Sequence, residues 1–325
     1  MSTHSINESG VLPRAERLVW RPFASLPENL VVKWKVVGAI VVTAVLWSSA
    51  FVAVRAALKG YRPVELAAVR YLVASVILAI RAMFKGAQLP RKGDWPRLIA
   101  CACLGFALYA TLLNYGETHV AAGPASFLVY TVPLFTAISA AILLRERMGT
   151  LGWAGLCVSL AGTALLSFGT NTHLHFEPGV VTLLTAALSL GLYFILQKPL
   201  VLRYGALTTT AWAIWLATIF LLPFFPWKNL LAVPPTAMYS VLYLGVLPTA
   251  VAYSTWAYVV ARIPVARATT CLYSIPAITT VIGFVVLGER PTLLGVNGGT
   301  IAISCVALAN IRRSSATRRS QKQRR

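Results

Sequence analysis

Acidic side chains are scarce in this chain. Glu8, Glu16, Glu28, Glu65, Asp94, Glu117, Glu146, Glu177 and Glu289 are its nine Asp and Glu, against 29 Lys and Arg in 325 residues. All nine fall in tails, in loops or at the ends of apolar runs. A carboxylate at the middle of a membrane, the usual carrier of a coupling proton or sodium ion, is therefore not expected, which favours uniport or downhill export over antiport. Histidine is as rare, with His4 in the N-terminal tail and His119, His173 and His175 in loops. The five cysteines (Cys101, Cys103, Cys157, Cys271 and Cys305) lie inside apolar runs, and Cys101 and Cys103 point to opposing faces of a helix. They read as small packing residues and not as a disulfide framework or a metal site. No nucleophile elbow, phosphate-cradling glycine loop or His/carboxylate constellation is present. Enzymatic chemistry has no residues to carry it, and no metal or cofactor is expected.

Apolar sequence takes the place of these groups. Apolar residues make up 58% of the chain and charged ones 12%, a balance incompatible with one soluble globular domain. Runs of about 20 apolar residues, each long enough for a helix to cross a bilayer, follow one another at 35–57, 64–83, 96–115, 120–143, 150–168, 179–198, 207–226, 237–259, 265–287 and 292–311. The expected fold is an all-α polytopic membrane protein of ten transmembrane helices. Residues 1–34 form a polar tail without a signal-peptide pattern, 169–178 an outer linker, and 312–325 a basic tail.

Basic residues set the orientation. Twenty-three Lys and Arg lie on the side of the termini, five on the other, and Arg70 inside a span. Both termini are expected in the cytoplasm of an inner (plasma) membrane protein. The charge of +20 then reads as topology anchors and lipid head-group contacts, not as a nucleic-acid surface. The expected partners are the bilayer and a small-molecule substrate. Nothing in the sequence fixes an oligomeric state.

The chain also repeats itself. Tyr130-x-x-Pro133, on a run ending in Glu146-Arg147, returns 143 residues later as Tyr273-x-x-Pro276 ending in Glu289-Arg290. Phe51 and Phe194, Arg55 and Lys198, and Tyr61 and Tyr204 keep the same offset, as do Gly152 and Gly155 with Gly295 and Gly298. Each unit holds five spans, an odd number, so the second copy enters the membrane from the opposite side. The result is two inverted five-helix repeats, 35–168 and 179–311, an architecture that builds an alternating-access site between its halves.

Leu46-Trp47-Ser48-Ser49-Ala50-Phe51 in the first span, Pro63 and Arg70-Tyr71 in the second, and the mid-span prolines followed by Glu-Arg and glycines in the fourth and ninth resemble the EamA-type branch of the drug/metabolite transporter superfamily. The sixth span, Leu190-Gly191-Leu192-Tyr193-Phe194, lacks the Trp-Ser pair. The resemblance implies ten helices in two inverted repeats and movement of small metabolites, amino acids among them, through a central cavity, often as export.

The residues suggest where the path runs. Pro133 and Pro276 each remove a backbone hydrogen bond near mid-span and free the carbonyls of Val129 and Leu272. A kink of this kind belongs against protein or a water-lined path, with the Tyr130 and Tyr273 hydroxyls beside it. It reads either as a flexing gate or as a permanent bend. Glu146, Arg147, Glu289 and Arg290 are expected to anchor helix ends at the head groups. Arg70, about 10 Å deep in its span, either binds a substrate carboxylate or clasps backbone carbonyls. Trp34, Trp95 and Trp227 read as interface anchors. Trp47, Tyr109, Trp212, Trp215, Tyr253 and Trp256 lie deeper. Path candidates are Trp47, Arg70, Tyr109, Asn114, Tyr130, Thr131, Tyr193, Tyr253, Trp256, Tyr273 and Ser274. The aromatic residues and the missing acids point to a neutral, zwitterionic or aromatic solute. Alternatives are a proton-coupled antiporter, a lipid scramblase or a structural membrane protein.

Overall fold

The structure, a computed structural model, describes residues 30–143 and 178–288 apart from 228, 229, 231 and 264. The spans expected at 150–168 and 292–311, most of both tails, nearly all of the 169–178 linker and the Glu146-Arg147 and Glu289-Arg290 pairs lie outside the described residues. Within them the chain is helical, without a strand. Seven helices are long and apolar enough to cross a membrane: Trp34–Ala57, Pro63–Lys85, Lys92–His119, Ala122–Ser139, Pro178–Tyr204, Ala206–Phe224 and Pro235–Val260. Cys271–Val286 is a shorter apolar helix.

Helix α1 (Leu30–Ala57) divides its apolar residues between two environments. Ala44, Trp47, Phe51 and Val54 repeat at intervals of three and four and are buried, while Val37, Val41, Val42 and Val45 are exposed. In a bilayer the outer row meets lipid, so both faces can be apolar. Helix α2 (Pro63–Lys85) opens with Pro63 at its first position, where the missing N–H costs nothing. The Arg62 N–H donates to Glu65 Oε2 at 3.0 Å, and Gly86 at φ 72° closes the other end.

The third and eighth spans share an irregularity. The third consists of α3 (Trp95–Ala102), a π-helical segment Cys103–Leu108 and α4 (Tyr109–His119). Before the eighth come α5 (Ala122–Val129), α6 (Val132–Leu143), α7 (Pro178–Tyr204) and α8 (Ala206–Leu221). The eighth is α9 (Pro235–Leu244), a π-helical segment Gly245–Val251 and α10 (Ala252–Val260). Leu108 and Val251, which end the two π segments, stand at the sequence offset. Each segment adds a residue to one helical turn, re-aims the side chains that follow, and lies where such bulges are common, at functional sites.

The segments expected as the fourth and ninth spans are broken at matched places. Helix α5 ends at Val129, Tyr130–Thr131 form a turn, and α6 begins at Val132. The ninth span runs through α11 (Val265–Thr270), a 3₁₀ turn Cys271–Tyr273 and α12 (Ser274–Leu287). Pro133 and Pro276 stand in the first turns of α6 and α12, where proline is tolerated, and not within the interior of a bent helix. The carbonyls capped by side chains are one residue earlier than Val129 and Leu272. Thr131 Oγ1 donates to the Leu128 carbonyl at 2.7 Å, and Ser274 Oγ to the Cys271 carbonyl at 2.8 Å. The two bonds are again equivalents at the offset.

Close approaches draw the spans together. A Cβ on Gly245 would lie 2.6 Å from Val73 and 2.9 Å from the Arg70 carbonyl, so only glycine lets α2 and the eighth span touch there. Gly205, at φ 81°, makes the tight connection between α7 and α8. Ser75 Oγ and Thr218 Oγ1, on α2 and α8, meet at 2.7 Å across 143 residues of sequence. Equivalent positions of the two copies therefore touch each other.

Candidate functional site

Arg70 and Trp47 are held by the same π segment. The Arg70 Nε donates to Thr249 Oγ1 at 2.6 Å, and Thr249 Oγ1 donates to the Leu244 carbonyl at 2.7 Å. The Trp47 indole N–H donates to the Pro248 carbonyl at 3.2 Å. A bulge in the eighth span thus positions one side chain from α2 and one from α1. Arg70 is 2% exposed and its guanidinium carbon lies 5.7 Å from the centroid of the Tyr71 ring.

From Trp47 a continuous aromatic wall extends through the bundle. Trp47 packs edge-on against Tyr253 at 5.1 Å between centroids, tilted against Trp256 at 5.6 Å and stacked on Phe194 at 6.2 Å. Phe194 and Trp256 are 4.8 Å apart. Phe106, in the first π segment, joins Tyr253 at 4.7 Å, Tyr193 at 5.1 Å and Tyr71 at 5.7 Å. Offset and edge-to-face pairs of this kind stabilise packing beyond their buried area. The third, sixth and eighth spans and the first two all contribute rings.

Tyrosines lie in and beside this wall. Tyr109, Tyr130, Tyr193 and Tyr253 are buried. Tyr130, at the break in the fourth span, packs on Phe51 at 5.9 Å. The Tyr71 hydroxyl and the Trp256 indole N–H are sealed and unpaired among the described residues, as are both amide atoms of Gln197. A buried polar group without a partner costs about 1–3 kcal/mol, so such groups mark a place where a ligand or water completes the structure.

Other path candidates have local partners. Asn114 Nδ2 donates to the Pro63 carbonyl at 2.8 Å and ties α4 to the start of α2. Thr131 and Ser274 cap the broken spans, and Tyr273 is buried in the 3₁₀ turn of the ninth. Trp212 and Trp215 bond to the carbonyls of Gln88 and Ser75 and pack on each other and Trp95, away from the wall.

Glu117 corrects the reading that the spans hold no buried acid. Helix α4 continues to His119, beyond the expected end of its span, and Glu117 is fully buried. The cause is the close cover of α7. A Cβ on Gly116 would lie 2.4 Å from Leu183, and one on Gly179 2.8 Å from His119. Arg55 caps the same helix end, donating to the carbonyls of Glu117 at 2.7 Å and Val120 at 3.3 Å. Sequence reading also passed over Thr249, Pro248, Phe106 and Gln197. Only Phe194 carried a signal, its match to Phe51 at the repeat offset.

A cleft of about 620 Å³ lies apart from the wall, at the end expected to face the cytoplasm, with Arg81, Lys85, Tyr204, Tyr258 and Arg262 among its lining residues. Next to it, Asp94 accepts hydrogen bonds from Arg203 and Tyr204, each at 2.5 Å, and the Arg91 N–H donates to Tyr204 at 2.9 Å. This network fastens the loop before α3 to the end of α7.

The model of the EamA-like transporter family matches residues 34–168 and again 177–311. A probable terminal-alkyne amino-acid exporter from Streptantibioticus cattleyicolor is 40% identical over 287 residues, covering 88% of this chain and 96% of that protein. The uncharacterized transporter YdfC of Bacillus subtilis is 36% identical, covering 82% and 88%. A solved crystal structure shares the fold at a TM-score of 0.65 and 19% identity, covering 85% of this chain and 98% of its own. On these matches the chain is a multi-pass membrane transporter, not an enzyme, and belongs to the EamA-like transporter family.

Proposed function

We propose that this protein exports a small metabolite, an amino acid or a similar neutral, zwitterionic or aromatic solute, across the inner membrane by alternating access. The observation that carries the reading is the buried wall of rings and tyrosine hydroxyls around Arg70, assembled from both copies of the repeat. Its apolar faces suit an organic side chain and its few polar groups fix orientation. The 40% identity to a probable amino-acid exporter supports the substrate class. The proposed frame is ten helices in two inverted repeats, 35–168 and 179–311, with both termini cytoplasmic. The matched π segments, the matched breaks and the Ser75–Thr218 contact support that frame, since a twofold axis would pass between the two hydroxyls. In this reading the breaks at Tyr130 and Tyr273 are the places where the fourth and ninth spans flex, and Glu146, Arg147, Glu289 and Arg290 anchor helix ends.

Efflux from cells overproducing the protein, screened across amino acids, tests the proposal. Saturable efflux of at least one, together with labelling of cysteines placed at 130 and 273 by a water-soluble thiol reagent, is the expected result. Lipid flip-flop without saturable solute flux would instead mark a scramblase.

A second reading, proton-coupled antiport, is favoured by Glu117. A carboxylate buried in a span is a usual carrier of a coupling proton. In reconstituted vesicles, flux driven by a substrate gradient alone selects uniport. Flux that requires an imposed pH gradient, and loses that requirement in Glu117→Gln, selects antiport.

A further inference from the structure

We infer that Arg70 binds the carboxylate of the transported solute, with Thr249 as the residue that positions it; this rests on the amino-acid reading above. Arg70 sits about 10 Å below the start of α2 at 1.5 Å per residue and is 2% exposed. A cation at that depth requires an anionic or strongly polar partner. Among the described residues no carboxylate pairs with it; the Asp94 carboxylate is held by Arg203. Its single hydrogen bond uses Nε, which Thr249 Oγ1 accepts at 2.6 Å. The two terminal amino groups donate to no described residue.

A backbone clasp would engage those terminal groups on carbonyls, and they are not so engaged. The geometry is that of a fork held at its base. A guanidinium with two parallel N–H donors available matches a carboxylate bidentately, which an ammonium cannot do. The Tyr71 ring lies beside the guanidinium, its centroid 5.7 Å from the central carbon, and its hydroxyl is buried without a partner among the described residues. The wall from Tyr253 to Trp47 and Trp256 then receives the organic remainder of the solute. The ligand class is a monocarboxylate with an apolar or unsaturated body. An α-ammonium would meet ring faces and hydroxyl oxygens.

The bond from Thr249 comes from the π segment, where Thr249 Oγ1 itself is fixed to the Leu244 carbonyl. A movement of the eighth span therefore carries the fork with it. Recognition of the carboxylate and the position of that span are thereby linked.

The test uses the full-length protein in proteoliposomes, with counterflow of L-phenylalanine and of L-propargylglycine measured beside their carboxamides. Wild type, Arg70→Gln, Arg70→Lys, Thr249→Val and Thr249→Ser are compared, each first shown to be monodisperse in detergent. The expected result is a rise of about tenfold or more in KM for the acids in Arg70→Gln, the size of one lost charge-assisted hydrogen bond or more. KM for the carboxamides should stay within about twofold. Arg70→Lys falls between, and Thr249→Val shifts the acid-to-amide KM ratio in the same direction while Thr249→Ser restores it. Equal losses for acid and amide, or no change in their ratio, would show a structural arginine and overturn the inference while the export reading stands. If Arg70→Gln does not fold, the ratio in Arg70→Lys and Thr249→Val decides the matter alone. Wild type that moves neither acid overturns the amino-acid reading, and this inference with it.

Discussion

Gly105→Ala tests whether the aromatic wall is packed as tightly as its geometry states. Gly105 is buried in the first π segment, and a Cβ there would lie 2.4 Å from two carbons of the Tyr193 ring and 2.9 Å from a third. Ordinary contact begins near 3.4 Å, so the ring must retreat by about 1 Å. It has little room, because Tyr193 is bounded by Phe106 at 5.1 Å, Phe194 at 5.7 Å and Tyr253 at 6.2 Å. A rigid ring cannot fold away as a flexible side chain would, and overpacking of this kind costs roughly 1–3 kcal/mol. With a rigid ring boxed in by three others the cost lies at about 2–3 kcal/mol, in the upper part of that range, and since Ala is a better helix former than Gly by about 1 kcal/mol the net loss is expected at about 1–2 kcal/mol. Equilibrium unfolding in mixed micelles, followed by tryptophan fluorescence, reads the shift. Tyr193→Leu in the same chain should recover part of it, since the pair shares one contact and its effects are not additive. Gly38→Ala, which meets nothing within 4 Å, is the control and should be neutral or slightly stabilising. If Gly105→Ala were as stable as wild type, or if Tyr193→Leu gave no recovery, the packing described for the wall would be wrong.

The Ser75–Thr218 bond should appear as a coupling of about 0.5–1 kcal/mol in a double-mutant cycle of Ser75→Ala and Thr218→Ala, the usual size for hydroxyl pairs between membrane helices. Additive losses would place the two hydroxyls apart. At the other end of the bundle, Tyr204→Phe removes the bond to Asp94 and the acceptor for the Arg91 N–H. With half of the Arg203 side chain open to solvent the remaining pair gives little support, and a loss of about 1–2 kcal/mol in the same unfolding assay is expected. Limited proteolysis within 86–94 should become faster in that variant, and an unchanged cleavage rate would refute the fastening role.

The membrane class and most span positions were legible because lipid imposes them on composition residue by residue. The 143-residue offset was legible too, and it reappears as paired π segments and paired breaks. The π segments themselves had no signature, since Cys103–Leu108 and Gly245–Val251 are apolar like the helices around them. Their register depends on Gly105 and Gly245 packing against other spans. Tyr130-x-x-Pro133 marked the right place but suggested a bent helix. The actual break depends on Thr131 accepting the role of cap, a choice of local hydrogen bonding that proline alone does not dictate. Glu117 was misplaced for a similar reason. Hydropathy ends a span at the first polar cluster, whereas α7 supplies cover for Glu117 through contacts between residues more than 60 positions apart. Arg70 was found because a charge in an apolar run is conspicuous. Its partner, Thr249, is an ordinary residue until the third dimension brings it to 2.6 Å.

The hydroxyl contact at Ser75 and Thr218 has a consequence for how the two helices are held. Thr218 Oγ1 gives its one proton to the backbone, donating to the Ile214 carbonyl at 2.9 Å and the Tyr71 carbonyl at 3.1 Å, so Ser75 supplies the proton of the bond between them. The tie between α2 and α8 is thus a relay: Thr218 accepts from Ser75 and donates back to the Tyr71 carbonyl of the same helix, so one hydroxyl on α8 clamps a full turn of α2.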